Sequence, residues 1–138
     1  MTLDSKVFQY LRNNNIRITQ HIKAILGIII LQSTPIDAKT IYNQLISDKQ
    51  IIDLSTIHRI LDKLNKIKLL DSIYGEKSTY YELSSQFLPH HHHFTCIKCG
   101  TITDIDICMI NPILNSLDNI GIPLSHSFEI KGICNNCK

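Results

Sequence analysis

The 138-residue chain has no tryptophan, no strong net charge and no long hydrophobic run. Its longest apolar stretch covers residues 24–31, far short of the roughly 18 residues a membrane-spanning helix needs. No apolar leader opens the sequence, so a cytoplasmic protein with no membrane partner is expected. With 14 basic against 12 acidic residues, the chain has no polycationic tail. There is no internal repeat, no low-complexity tract beyond a run of histidines, and no His-Glu-x-x-His segment of the metalloprotease type.

The five cysteines are not a disulfide pattern. Four fall in two Cys-x-x-Cys pairs, Cys96/Cys99 and Cys134/Cys137, and Cys108 is left over. Paired spacing of this kind points to zinc thiolates in a reducing compartment. Four thiolates at ~2.3 Å around one ion make a closed structural site. The insert between the pairs is longer than the ~15–20 residues of a simple zinc ribbon, so it holds secondary structure of its own. Cys108 reads first as a small packed side chain, with a redox or ligand role as the alternative.

The front of the chain is patterned differently from the back. Residues 1–84 carry 11 basic and 8 acidic side chains, whereas residues 85–138 carry 3 and 4. Helical spacing is expected over residues 3–14, over 20–31 behind a Thr19 cap, and over a third segment capped by Asp37. A fourth helix, capped by Ser55 or Thr56, places Ile57, Ile60, Leu61, Leu64 and Ile67 on one face. The period then changes to that of a β-hairpin over residues 70–83, turning at Gly75-Glu76. Helices followed by a hairpin are the order of a winged helix-turn-helix, whose element from Ser55 onward would enter the major groove. Lys23, Arg59, Lys63 and Lys66 are candidates for phosphate contact. A short hinge containing Pro89 follows. Strands over 94–97 and 101–107, a helix over 110–119 and a strand over 122–133 are expected after it. The fold class is therefore α+β, with a winged-helix domain at 1–84, a hinge at 85–89 and a small metal-binding domain at 90–138.

Just upstream of the first cysteine pair lie four consecutive histidines, His90-His91-His92-His93. On an extended strand side chains alternate faces, so His91 and His93 share one face and His90 and His92 the other. Two distinct sites are possible. Glu82, Asp104, Asp106 and Asp71 are available oxygen donors, and His126 a further nitrogen. Mixed nitrogen and oxygen sites suit Zn, Fe or Mn.

These segments resemble the ferric uptake regulator family of bacterial metal-dependent transcription factors, which has iron-, zinc- and peroxide-responsive branches. The resemblance runs through Arg17-Ile18-Thr19, Leu54-Ser55-Thr56-Ile57-His58-Arg59-Ile60-Leu61, Tyr81-Glu82-Leu83, the histidine run with Phe94-Thr95-Cys96-Ile97-Lys98-Cys99-Gly100, Asp104, and Ser125-His126-Ser127-Phe128 onward to Cys134. It implies structural zinc at Cys96, Cys99, Cys134 and Cys137. It implies a regulatory Fe(2+), Zn(2+) or Mn(2+) at Glu82, His91, His93 and Asp104, and an additional site at His90, His92 and His126. Arg17, Thr19, Ser55, Thr56, His58 and Arg59 would face DNA. The implied protein is a homodimeric, metal-dependent repressor of metal-homeostasis genes, with no organic substrate. An iron-responsive member is the first reading, and a zinc- or peroxide-responsive one the alternative. A small metallohydrolase and a metal-independent zinc-ribbon interaction module are the readings from other classes.

The sequence departs from the family pattern in four places. Thr19-Gln20-His21-Ile22 replaces Thr-Pro-Gln-Arg, and His58 stands where a tyrosine is usual. Pro35 sits near the place of a histidine that normally joins the regulatory site; Asp71 is the candidate replacement. Asn111 lies near the position of a glutamate of the additional site.

Overall fold

A computed structural model describes residues 1–138, which form two compact units, Met1–Pro89 and His90–Lys138. The first begins with α1 (Leu3–Asn13) and α2 (Gln20–Leu31), capped by the Thr2 and Thr19 hydroxyls, which accept from Ser5 N and Ile22 N. Such caps satisfy amides that have no partner within the helix. The two-residue strand β1 (Ile36–Asp37) leads into α3 (Ala38–Ser47), where Asp37 accepts from Thr40 N at 2.9 Å. Next comes α4 (Leu54–Lys66). Its cap is Asp53 rather than the expected Ser55 or Thr56. The carboxylate accepts from Thr56 N at 2.7 Å and from the Ser55 hydroxyl at 2.8 Å, which leaves Ser55 and Thr56 in the first turn. All three residue types can cap; the carboxylate takes the position three residues before the amide it receives.

Strands β2 (Leu70–Tyr74) and β3 (Thr79–Leu83) pair antiparallel, and β1 adds to the far edge in the order β1-β3-β2. One apolar cluster joins the helices to this wing. Ile25, Leu26, Ile41, Ile57, Leu61 and Leu64 are all fully enclosed. Residues 85–89, expected as a hinge, belong to the first unit: Phe87 and Leu88 pack on its core, and Phe87 meets Tyr10 edge-on at 5.4 Å.

The second unit is a three-stranded sheet in the order β5-β4-β6. Central β4 (His92–Cys96) runs antiparallel to β5 (Ile102–Ile105) and parallel to β6 (Glu129–Gly132). The expected helix over 110–119 is reduced to α5 (Asn111–Leu114) and a 3-10 turn, Asn115–Leu117. Asn115, Ser116, Asp118 and Asn119 are poor helix formers, and no α5 residue is buried, so packing adds nothing to prolong it. The expected strand from residue 122 begins only at Glu129. Pro123 has no amide for a ladder, which delays pairing past it.

Candidate metal centres and nucleic-acid interface

The Cys96–Cys99 knuckle closes on Gly100, whose φ of 77° lets its amide return to Cys96 O at 2.9 Å. The parallel pairing of Cys96 with Gly132 carries the chain to Cys134. All four sulfurs of Cys96, Cys99, Cys134 and Cys137 lie within 4.8 Å of one another. Cys99 Sγ and Cys134 Sγ are 3.8 Å apart, the edge of a tetrahedron with ~2.3 Å metal–sulfur bonds. No disulfide joins any of them. The Cys134 amide donates to Cys96 Sγ at 3.3 Å. That amide first, then those of Cys99 and Lys98, holds the Cys96 thiol down to about 6. The neighbouring Cys134 and Cys99 sulfurs push Cys137 up to about 12. Hydrogen bonds to those sulfurs favour the protonated Cys137 thiol, and a bound cation would favour its thiolate instead. The donor set fits one structural Zn(2+).

The histidine run is split between two faces. On one, the register of β4 with β5 sets His93 opposite Asp104, with Nε2 and Oδ1 3.5 Å apart. His91 and His93 rings are 4.8 Å apart at their centroids, and the ligand atoms of His91, His93 and Asp104 lie within 4.8 Å. Two imidazoles and a carboxylate form a borderline donor set open to Fe, Mn or Zn. Glu82 is on β3 of the first unit, with Asp71 as its partner across the hairpin. Like charges in that register oppose each other.

On the other face, His90 Nε2 and His92 Nε2 are 3.0 Å apart, and His126 approaches both rings. The fourth member is Cys108, whose Sγ is 3.1 Å from His126 Nε2. Cys108 is half-buried and points into this group, the placement that its alternative ligand role requires. Asp71 and Asp106 fall outside all three groups. His92 is 4% exposed and stacks on Phe128 at 3.7 Å. Burial first, then the adjacent histidines, pushes its pKa down, which favours the neutral imidazole that binds metals.

In the first unit the outer face of α4 presents Ser55, His58, Arg59, Asp62, Lys63 and Lys66 along a shallow groove. Arg59 donates to the Thr56 hydroxyl at 3.1 Å, which steadies the guanidinium on the first turn. Arg17 is exposed ahead of α2, and the Thr19 hydroxyl is engaged as that helix's cap.

The sequence model of the ferric uptake regulator family matches residues 13–130. The chain belongs to the ferric uptake regulator family. Among its curated relatives, the peroxide-responsive repressor PerR of Staphylococcus saprophyticus is 30% identical over 135 residues, covering 93% of this chain and 86% of the relative. The ferric uptake regulator Fur of Helicobacter pylori, described as having three functional metal-binding sites, superposes with a TM-score of 0.82 at 20% identity, over 99% of this chain and 94% of that one. The Vibrio cholerae ferric uptake regulator superposes at 0.73 with 24% identity, over 91% and 98%. At these identities the structural likenesses establish the shared fold. Within this ferric uptake regulator fold, Cys108 is the ligand candidate that sequence reasoning ranked second, behind a packing role. Its one signal was being a fifth cysteine outside the Cys-x-x-Cys pairs.

Proposed function

We propose that this family member is a metal-dependent DNA-binding repressor whose switch is the His91/His93/Asp104 group. The observation that carries the reading is the pairing of His93 with Asp104 on the face opposite His90 and His92, beside a separate four-cysteine site. One ion is held for structure, and another can be exchanged. Glu82 precedes residues 85–89 in the chain and the other three residues follow them. Glu82, on β3, is the fourth donor that the family resemblance implies. The metal supplies only charge and coordination; the chain's own residues set the geometry. His93 is aimed by β4, His91 lies immediately before that strand, and Asp104 is aimed by its register with His93. Arg59 and the α4 lysines would meet phosphates, and His58 and Ser55 the groove edges.

A ligand that binds the DNA-competent arrangement better shifts the population toward it, and DNA tightens the metal in return. A coupling of this kind is typically worth about 5–150-fold in affinity. The test is fluorescence anisotropy with DNA from the chain's own promoter at fixed salt, using protein that retains its four-cysteine zinc. Fe(II), Mn(II) or Zn(II) tightens binding by a factor in that range, and His93→Ala abolishes the tightening with the fold intact. Equal affinity with and without every metal overturns the reading.

Which signal is read divides two alternatives. Iron responsiveness is the first reading from the family resemblance, and the donor set takes Fe, Mn or Zn alike. Peroxide responsiveness is supported by the curated relatives, of which the Staphylococcus saprophyticus and Staphylococcus aureus proteins are named peroxide-responsive repressors. Peroxide that releases DNA from the Fe(II)-loaded but not the Mn(II)-loaded protein selects the second.

A further inference from the structure

The family resemblance places three histidines at an additional site and leaves its acidic position to Asn111. The structure supplies a different fourth donor. Cys108 lies in the segment after β5, His126 in the segment before β6, His90 just before β4 and His92 at its start. Their ligand atoms all lie within 4.8 Å of one another. A tetrahedral zinc with ~2.0–2.1 Å nitrogen and ~2.3 Å sulfur bonds needs donor separations of about 3.3–3.6 Å. The close pairs, 3.0 Å for His90–His92 and 3.1 Å for Cys108–His126, reach that by opening a few tenths of an ångström. His92 is buried against Phe128, so one imidazole is already fixed in the group.

From this we infer that His90, His92, Cys108 and His126 form a three-imidazole, one-thiolate site for Zn(2+), selective against Mn(2+), which the His91/His93/Asp104 group can take. The selectivity follows from the donors. Carboxylates suit Mn(2+) and harder ions, whereas thiolate and imidazole suit zinc and softer ones. This group contains no carboxylate. Four protein donors also complete the coordination shell, as in sites that hold zinc for structure. The bound ion would clip together the two ends of residues 106–128. That segment has almost no buried apolar side chain and carries Ile107, Met109, Ile120, Ile122 and Leu124 in the open. Zinc here would order the apolar face of the second unit without occupying the proposed switch. The inference is independent of the DNA-binding reading.

The test uses full-length protein with zinc retained at the four-cysteine site, titrated with Co(II). Zinc is spectroscopically silent, so a thiolate-to-cobalt charge-transfer band reports a newly bound sulfur. The expected result is a band of single-thiolate intensity that disappears in Cys108→Ser, with circular dichroism unchanged. No band, or a band that survives in Cys108→Ser, overturns the assignment; survival at four-thiolate intensity would mean cobalt had entered the four-cysteine site. A second measurement needs no variant. Zinc should protect the Cys108 thiol of the wild-type protein from alkylation, read by peptide mass spectrometry, and Mn(II) should not. Equal protection by both ions refutes the selectivity. Finally, Cys108→Ser should weaken this zinc by more than the ~10–100-fold that loss of a ligand's hydrogen-bonding partner costs, and Cys108→Asp should raise the preference for Mn(II). An unchanged Zn:Mn preference in Cys108→Asp would also overturn it.

Discussion

The two units of this chain are held together by different physics. The first encloses 18 apolar side chains in one cluster. In the second, Cys96 and Ile102 are the buried apolar residues, and the other buried side chains are His92 and Thr95. Its large apolar residues lie outside: Leu124 is 96% exposed and Ile122 89%. Burial contributes roughly 25 cal/mol per Å² of apolar surface, and so the first unit has its driving force within itself. The second must draw its stability from ligand closure and from whatever covers its apolar face. The four-cysteine group lies wholly in the unit that lacks a core of its own, so the dependence of the fold on zinc is expected there.

The sharpest way to break this contrast is to remove the structural zinc. Binding of such an ion is worth ~10–16 kcal/mol in small zinc domains, and that free energy is folding free energy. Cys96→Ser, or strong chelation, should unfold the second unit and leave the first folded. Hydrogen exchange read by mass spectrometry should show protection lost over 90–138 and kept in α2, α3 and α4. Loss of protection in both units would make them one cooperative structure. The converse experiment is Leu61→Ala. It deletes a fully enclosed side chain of the first core and should cost ~2–5 kcal/mol there, seen as a lower denaturation midpoint with zinc content unchanged.

A smaller effect tests what covers the second unit. If a second copy lies on the face carrying Ile122 and Leu124, Leu124→Asp should shift the protein toward monomer in sedimentation while leaving the four-cysteine zinc in place. An unchanged dimer would place the interface elsewhere. The smallest expected effect is at the start of α4. Hydrogen bonds from Thr56 and Ser55 hold the Asp53 carboxyl at about 2, against an ordinary 3.8. A lowered carboxylate pKa stabilises the fold above the unfolded value and loses that contribution as pH falls from about 4 toward 2. Asp53→Asn keeps a capping oxygen but does not titrate. Its stability profile should therefore be flatter than the wild type's across that window, by chemical denaturation at each pH.

Much of the first unit was legible in the sequence because its signals are local. Thr19 and Asp37 cap where expected, and Leu61 and Leu64 recur at helical spacing over a face that is buried. The cap of α4 was misplaced by two or three residues because Asp53, Ser55 and Thr56 are chemically equivalent candidates in one dimension. The second unit was less legible. Residues 106–128 have apolar content without a period that any neighbouring surface rewards, so the expected helix shrank to one turn and the expected strand started late. Cys108 was opaque for a related reason. A single cysteine has no spacing to interpret, and the residue nearest the expected acidic ligand was Asn111.

The sequence alone determined the chemistry available to this protein: two cysteine pairs two residues apart, four histidines that must alternate on a strand, and a capped amphipathic α4 with basic residues on its outer face. These follow from covalent spacing and from the periods of helix and strand, which need no knowledge of distant contacts. Only the tertiary structure decided which donors meet. The β4–β5 register set His93 against Asp104, and the parallel return of β6 brought Cys134 to Cys96. The chain segments flanking that sheet turned Cys108 toward His126. Strand register and chain return are set by long-range pairing, in which residues far apart in sequence become neighbours, and no local pattern encodes that.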